Sequence, residues 1–382
     1  MSSVQFSPAG KLIGTILRHD AKTASYKLAL IRSINDVALG FPEFMASENK
    51  SSLAVPLKLL AEFWIAYYWP FVGNVHILQG RPQGSKQDVS FRKDLSALRI
   101  YWEKNNFGFS QSDGYYLVSE MRSFRRAQTY PPDLRLLYKN AKEAVLHAIR
   151  QPIRYAGQEE WSLFPKPRHW RQLKHRTNTV ALPGTQEEDL CLQIDASLWG
   201  EFLQVSLWVE ALCIHEWALF TERLTGINRG QVYEALTSRP DNRRPLTWER
   251  NQVELLMMEG HTFVCPWTGN ELNTKNYDID HLIPVSLYPI NETWNLVPAD
   301  RGFNQRVKRD KLPSDQRIEK LTFRLPQCYG LYELSELREP LRVDSNNRFG
   351  DLGSQEHFRF ALSQAVGRLI TAMKYSRNVA EF

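Results

Sequence analysis

Apolar and polar positions alternate with a helical period over most of the chain. Tyr26 to Leu39 carries Leu28, Ile31 and Val37 near helical spacing and reads as an amphipathic helix. Leu53 to Val72 is more apolar, bounded by prolines and interrupted by Lys58 and Glu62, and reads as a core helix. Its uninterrupted part is too short for the ~20 residues a bilayer requires. Gly73 to Lys86 is polar and reads as a loop, Val89 to Trp102 as a helix, and Ser123 to Arg150 as helices broken at Tyr130-Pro131-Pro132. Ile153 to Gly184 holds several prolines and little periodicity, so it reads as an exposed loop or a small strand unit. Leu198 to Arg223 predicts one long apolar helix and Gly230 to Leu236 a short one. Leu246 to Glu259 predicts another, with Thr247 as its cap. After Pro313 the pattern gives helices at Asp315 to Leu321 and Tyr332 to Leu337, a polar loop at Asp344 to Ser354, and a last helix at His357 to Tyr375.

Strand signals are few: Leu190 to Ile194, Tyr277 to His281, and Trp294 to Val297 closed by Pro298. The fold class expected is therefore α+β and mainly helical. The prolines and charges from Ser238 to Pro245 suggest a boundary. It would separate a helical N-terminal domain, 1–240, from a unit spanning 241–315 and a helical C-terminal segment, 316–382, packed on the rest.

Composition narrows the partners. The formal net charge is +6, which favours an anionic partner such as nucleic acid. Between Arg122 and Arg176, thirteen Lys or Arg face four Asp or Glu. Arg122, Arg125 and Arg126 form one cluster; Arg168, Arg171, Lys174 and Arg176 form another. Both are readable as a phosphate track, as a solvated surface, or as pairing between elements with Glu159 and Glu160. Cys191, Cys213, Cys265 and Cys328 have no paired spacing, and the first residues lack a secretion pattern, so a reducing, cytoplasmic setting without membrane insertion is expected. His215-Glu216 lacks the second histidine of a zinc protease, since position 219 is Leu; His215 reads as a helix-packing residue.

The candidate chemistry lies between Cys265 and Pro313. Asp280 offers a carboxylate and Asn304 an amide oxygen, hard donors suited to Mg²⁺. His281 can take a proton from water beside such an ion. The two can share a site if the strand ends or bends at His281. Asn295 can hold the loop or orient His281. Asp300 stands as the N-cap of a helix over Gly302 to Lys308, which places Lys308 one turn beyond Asn304 and within reach of a phosphate. Arg306, Arg309 and Lys311 on that helix, and Arg243 and Arg244 at the boundary, are either solvated or DNA-facing. Asp278 reads as a solvated strand residue and His261 as a turn residue.

The order Asp280-His281, Asn295, Asn304 resembles the HNH endonucleases of the ββα-metal, or His-Me finger, class over residues 260–315. The resemblance implies His281 as general base, Asp280 and Asn304 as metal ligands, and Asn295 as the mainly structural middle residue. Cys265 has Thr268 where a second zinc-knuckle thiol would stand, so no structural zinc is expected. The implied activity is DNA phosphodiester hydrolysis with Mg²⁺, which Mn²⁺ can replace. One site per chain implies nicking. In size and layout the chain is similar to nuclease effectors of bacterial anti-phage systems such as Zorya, whose other components would be partners. A sequence-specific restriction or homing endonuclease, and an inactive DNA-binding adaptor, stand as alternatives.

Overall fold

A computed structural model describes residues 8–18, 20–44, 51–82, 84, 88–157, 159–175, 178–239, 246–353, 355–377 and 379–382. Arg176, Arg243 and Arg244 therefore lie outside the described residues. The chain is α+β and mainly helical. It divides into two compact units, one of residues 1–118 and 130–240, the other of 119–129 and 241–382.

The first unit begins with helices α1 (Pro8–Arg18) and α2 (Tyr26–Gly40). Leu28, Ile31 and Val37 are buried as expected, but so are Arg32, Ser33, Ile34 and Asn35, so α2 is enclosed on all sides rather than amphipathic. The Arg32 guanidinium is tolerated there because it donates to the Leu236 carbonyl at 3.0 Å and lies 4.3 Å from the Tyr67 ring centroid.

The expected core helix at Leu53 to Val72 splits. Residues before Pro56 are biased to extended backbone, and Ser52–Pro56 forms β1, after which α3 runs from Leu57 to Tyr68. Helices α4 (Arg92–Lys104), α5 (Asp113–Arg122), α6 (Phe124–Gln128) and α7 (Pro132–Tyr155) follow, with the break at Tyr130-Pro131 as the prolines dictate. The division between units falls within α5. Next come β2 (Arg168–His169), α8 (Trp170–Leu173), β3 (Thr179–Ala181) and β4 (Leu190–Asp195). The sheet order is β2-β4-β1-β3, with β1 parallel to β3 and antiparallel to β4.

The predicted long helix is α9 (Ala196–Gln204) and α10 (Ser206–Thr225), interrupted only at Val205. Val205 still donates to Glu201 and accepts from Val209, so its kink leaves the hydrogen bonding, and hence the apolar periodicity, almost continuous. His215 is exposed on α10, not packed as expected. Helix α11 (Arg229–Thr237) completes the unit.

In the second unit α12 spans Thr247–Met258; Leu246 is its N-cap, so Thr247 is a helical residue and not the cap expected. Strands β5 (Tyr277–His281) and β6 (Leu296–Asp300) pair antiparallel, Asp280 opposite Val297 and His281 opposite Leu296. Pro298 was expected to end the second strand but lies inside β6. A two-stranded ribbon leaves an outer edge where a missing N–H breaks no ladder bond. A single turn, α13 (Arg301–Phe303), passes into a π-turn at Asn304–Lys308.

Three helices follow. Helix α14 (Asp315–Tyr332) continues through Pro326 where a stop at Leu321 was expected, because its buried Leu321, Leu325, Cys328 and Tyr329 belong to the same core as the hairpin. Helix α15 (Arg338–Phe349) occupies the start of the expected polar loop; Asp344, Ser345 and Arg348 are polar but buried. Helix α16 (Gln355–Arg377) closes the core with Phe358, Leu362, Val366 and Leu369.

The basic clusters are largely paired within their own units. Arg125 and Arg126 reach Glu249 at 3.4 and 3.2 Å, and Arg125 stacks 3.8 Å over the Trp248 ring. Of the alternatives open to the second cluster, pairing is what Arg171 and Lys174 show, but with Glu188 and Glu187 rather than Glu159 and Glu160; Glu160 pairs with Arg154.

Candidate active site of the hairpin and its π-turn

The site is built on β5, β6 and the turn after them. Asp300 caps that turn as its sequence position predicts, accepting from the Phe303 amide at 2.7 Å. The turn presents one face to β5. Arg301 donates to Asp278 Oδ1 at 3.0 Å and Gln305 to Asp278 Oδ2 at 3.0 Å. Lys308 donates to Asp280 Oδ1 at 3.0 Å. Alternation along β5 sends Asp278 and Asp280 to the same side, and the spacing of Arg301, Gln305 and Lys308 answers it. Asp278 is thus tied to the turn rather than solvated.

Asp280 is the most constrained group. It is 6% exposed, and its Oδ2 accepts from the Trp267 indole Nε1 at 3.0 Å. Lys308 is 1% exposed, with its ammonium 5.7 Å from the Trp267 ring centroid. This corrects the expectation of an outward Lys308 contacting phosphate: its partner is a buried carboxylate, and the wider π-turn carries it into the hairpin. The turn ends at Arg309, whose φ of +52° closes the Asn304 carbonyl with an amide bond of 2.9 Å. Arg306 and Arg309 are exposed and Lys311 is half-buried.

Trp267 is held in place by the C-P-W-T-G turn. Cys265 Sγ accepts from the Thr268 and Asp300 amides, so the thiol is satisfied by backbone donors. Gly269 takes φ +81°, and Arg324 of α14 donates to the Pro266 and Trp267 carbonyls at 3.1 and 3.2 Å. A Cβ at Gly269 would stand 2.5 Å from that guanidinium. Phe382 packs edge-on against Trp267 at 5.4 Å between centroids.

His281 ends β5 and is half-buried. Its Nε2 lies 2.7 Å from Asn291 Oδ1. An amide oxygen only accepts, so in this arrangement Nε2 donates to Asn291, which fixes the plane of the ring. Of the two roles open to Asn295, the structure shows loop holding. Asn295 is fully buried, its Oδ1 accepts from the Ile283 amide at 2.8 Å, and its Nδ2 donates to the Ile283 carbonyl at 3.2 Å. Tyr329 and Tyr332 of α14 donate to the carbonyls of Trp294 and Leu296 on either side of it.

Asn291 is the site residue that sequence reasoning missed. It sits in a P-I-N-E-T run with no periodic or motif signal, and only the folded loop brings it to His281. Asn291→Ala is expected to lower any His281-dependent turnover by on the order of 10–100-fold through loss of ring orientation. A pH–rate profile that moves with the substitution, and moves to higher pH in Asn291→Asp, whose carboxylate favours the imidazolium, would show the effect is on His281; an unmoved profile would sink it.

Beneath this loop lies a buried acid pair. Glu292 accepts from Tyr288 Oη at 2.7 Å and Trp294 Nε1 at 2.8 Å. Asp344 accepts from the Thr293 amide and hydroxyl at 2.9 and 3.1 Å and from the Phe124 amide at 3.0 Å. Burial, then the charge of Glu292, pushes the Asp344 carboxyl up to about 7; burial also raises Glu292, against Arg122 and Arg348. A carboxyl raised in the folded state binds its proton more tightly there than in the unfolded chain. Its stabilisation is complete below about 4 and is lost as pH rises through about 7. The second unit is therefore expected to lose on the order of a few kcal/mol between those limits. Denaturant melts at pH 5 and 7.5 test this; Asp344→Asn should flatten the dependence, and an unchanged slope would refute the assignment.

Asp280 carries a carboxylate and Asn304 an amide oxygen, both of them hard donors. The Asn304 side chain makes no hydrogen bond among the described residues. No cluster of three or more His, Cys, Asp or Glu is arranged around a metal position among the described residues. The Lys308 ammonium on Asp280 Oδ1 shows that this carboxylate already takes a cation.

Residues 7–236 match the family model described as a domain of unknown function, DUF8808. Residues 265–314 match that of the HNH endonucleases, which points to a nuclease acting on nucleic acid. No curated protein and no solved structure matches the chain.

Proposed function

The chain belongs to the DUF8808 family, and we propose that it is a metal-dependent endonuclease hydrolysing DNA phosphodiester bonds at its HNH site. In this reading His281 is the general base, with Asn291 fixing its ring and Asn295 its loop. Asp280 and Asn304 would hold Mg²⁺ or Mn²⁺. A divalent ion bound there would offset the charge on the cleaved phosphate and its leaving oxygen. Arg306 and Arg309 face solvent, where a phosphate backbone would meet them, and the half-buried Lys311 is assigned the same role. Arg243 and Arg244 precede α12 in sequence and are assigned the same role.

The observation that supports this most is the Asp280–His281 pair at the end of β5, with the turn after β6 returning over Asp280. One such site cuts one strand, so nicking with low sequence preference is the expected activity. Residues 1–240 would serve as a docking or regulatory domain, 241–315 as the nuclease and 316–382 as its helical support. Resemblance in size and layout to nuclease effectors of anti-phage systems suggests a defence role.

Supercoiled plasmid incubated with the protein tests the reading. Open-circular product in Mg²⁺ or Mn²⁺, absent in EDTA, is expected. A mobility shift without any cleavage in either metal would overturn it in favour of a DNA-binding adaptor. Linear product with fixed ends would replace nicking by sequence-specific double-strand cleavage.

A further inference from the structure

The first unit contains a cleft of about 520 Å³ bordered by the end of α1, the turn at Asp20 to Lys22, Arg81 and Pro82, and the last turns of α10. This volume lies within the ~300–1,000 Å³ typical of small-ligand sites. Four cations line it, Arg18, Lys22, Arg81 and Arg223, against two carboxylates, Asp20 and Glu216.

Both carboxylates are already matched. Asp20 Oδ2 accepts from Lys27 Nζ at 2.8 Å, a cation outside the lining, and from the Gly157 amide at 3.0 Å. Glu216 faces Arg18 at 3.7 Å. Lys22 donates to the Asp20 carbonyl at 2.9 Å, a neutral acceptor, and burial depresses its ammonium. The guanidinium groups of Arg81 and Arg223 make no hydrogen bond or ion pair among the described residues. Lys22 shares the charges of Glu216 and Asp20, so two cations, Arg81 and Arg223, are left over on separate segments around one concavity. Phe220 and Leu224, both half-buried on α10, give it an apolar flank.

Two arginines that line one cleft and make no ion pair among the described residues suit a phosphate, which each can bind bidentately, and an apolar flank suits a planar ring. We infer that this cleft binds a nucleotide, its phosphates held by Arg81, Arg223 and Lys22 and its base against Phe220. The site is separate from the hairpin residues and does not rest on the proposed nuclease activity.

Calorimetry on the full chain in EDTA tests it with ATP, inorganic pyrophosphate and a twelve-base single-stranded oligonucleotide. ATP is expected to bind, and more tightly than pyrophosphate. The double variant Arg81→Ala/Arg223→Ala should weaken ATP at least about tenfold, the Arg81→Lys/Arg223→Lys pair much less, and His281→Ala not at all. Both arginines are exposed, and equal melting temperatures would show the variants folded. Absence of heat with ATP, or affinity unchanged by the alanine pair, would overturn the site. Pyrophosphate binding as well as ATP would reduce it to a bare anion pocket and refute the nucleotide. Oligonucleotide binding without ATP binding would refute it in favour of a nucleic-acid track.

Discussion

His281→Ala should abolish metal-dependent plasmid nicking, a loss of about 10²–10⁴-fold, while leaving DNA binding intact. The size follows from the proposed role of general base, in which Asn291 holds the imidazole ring in place. Alanine removes the base without unpairing a buried charge, because Asp280 keeps Lys308 and Trp267. Melting temperature should therefore move little, and the mobility shift should persist. Nicking that survives the substitution at wild-type rate would place the chemistry elsewhere. Loss of both nicking and DNA binding would show instead that the loop had collapsed. Asn295→Ala differs in kind: it leaves the Ile283 amide and carbonyl unsatisfied within the core, so its activity loss should come with a loss of stability.

How far the sequence carried depends on how local the determinants were. The span of β5 was legible because Tyr277 to His281 alternates and a loop with prolines follows. The Asp300 cap was legible because a cap acts three residues away. The Tyr130-Pro131-Pro132 break was legible for the same reason. Three elements failed where tertiary burial overrode local pattern. Polar Asp344, Ser345 and Arg348 read as a loop because nothing nearby shows that Thr293 and Phe124 donate to Asp344. Pro326 lies in an unbroken helix because the helix's apolar face belongs to the hairpin's core. Residues 119–129 fall in the second unit although they precede it by more than a hundred positions. At the site the residue types were legible and their partners were not. Lys308 was visible as a cation near Asn304. Its burial against Asp280 depends on Trp267, fixed in turn by Arg324 and Phe382 from distant segments.

Lys308→Met should produce the largest stability change in the second unit. Removing one partner of a buried ion pair typically costs about 3–5 kcal/mol, because the other charge is left in a medium that solvates it poorly. Here the residual charge would be Asp280, 6% exposed, with the Trp267 N–H as its remaining donor. Methionine keeps the packing against Trp267, so the loss reports the charge rather than a cavity. If Asp280 also holds the metal, ammonium and metal ion are alternatives at Oδ1, and the two effects are linked. Mg²⁺ would then stabilise Lys308→Met more than the wild type, by RT ln(1 + [Mg²⁺]/Kd) with a Kd no longer raised by a competing cation. Denaturant melts in EDTA and in millimolar Mg²⁺ measure both quantities, and Asp280→Asn in the Lys308→Met background supplies the control, since it removes the anion and should abolish the gain. A wild type and a Lys308→Met variant stabilised equally by Mg²⁺ would separate the metal from Asp280 Oδ1. A variant as stable as the wild type in EDTA would mean that Asp280 finds another cation when Lys308 is gone. The combination expected, a large loss without metal and partial recovery with it, would make the buried lysine an internal counter-ion for the carboxylate that the metal-bound site requires.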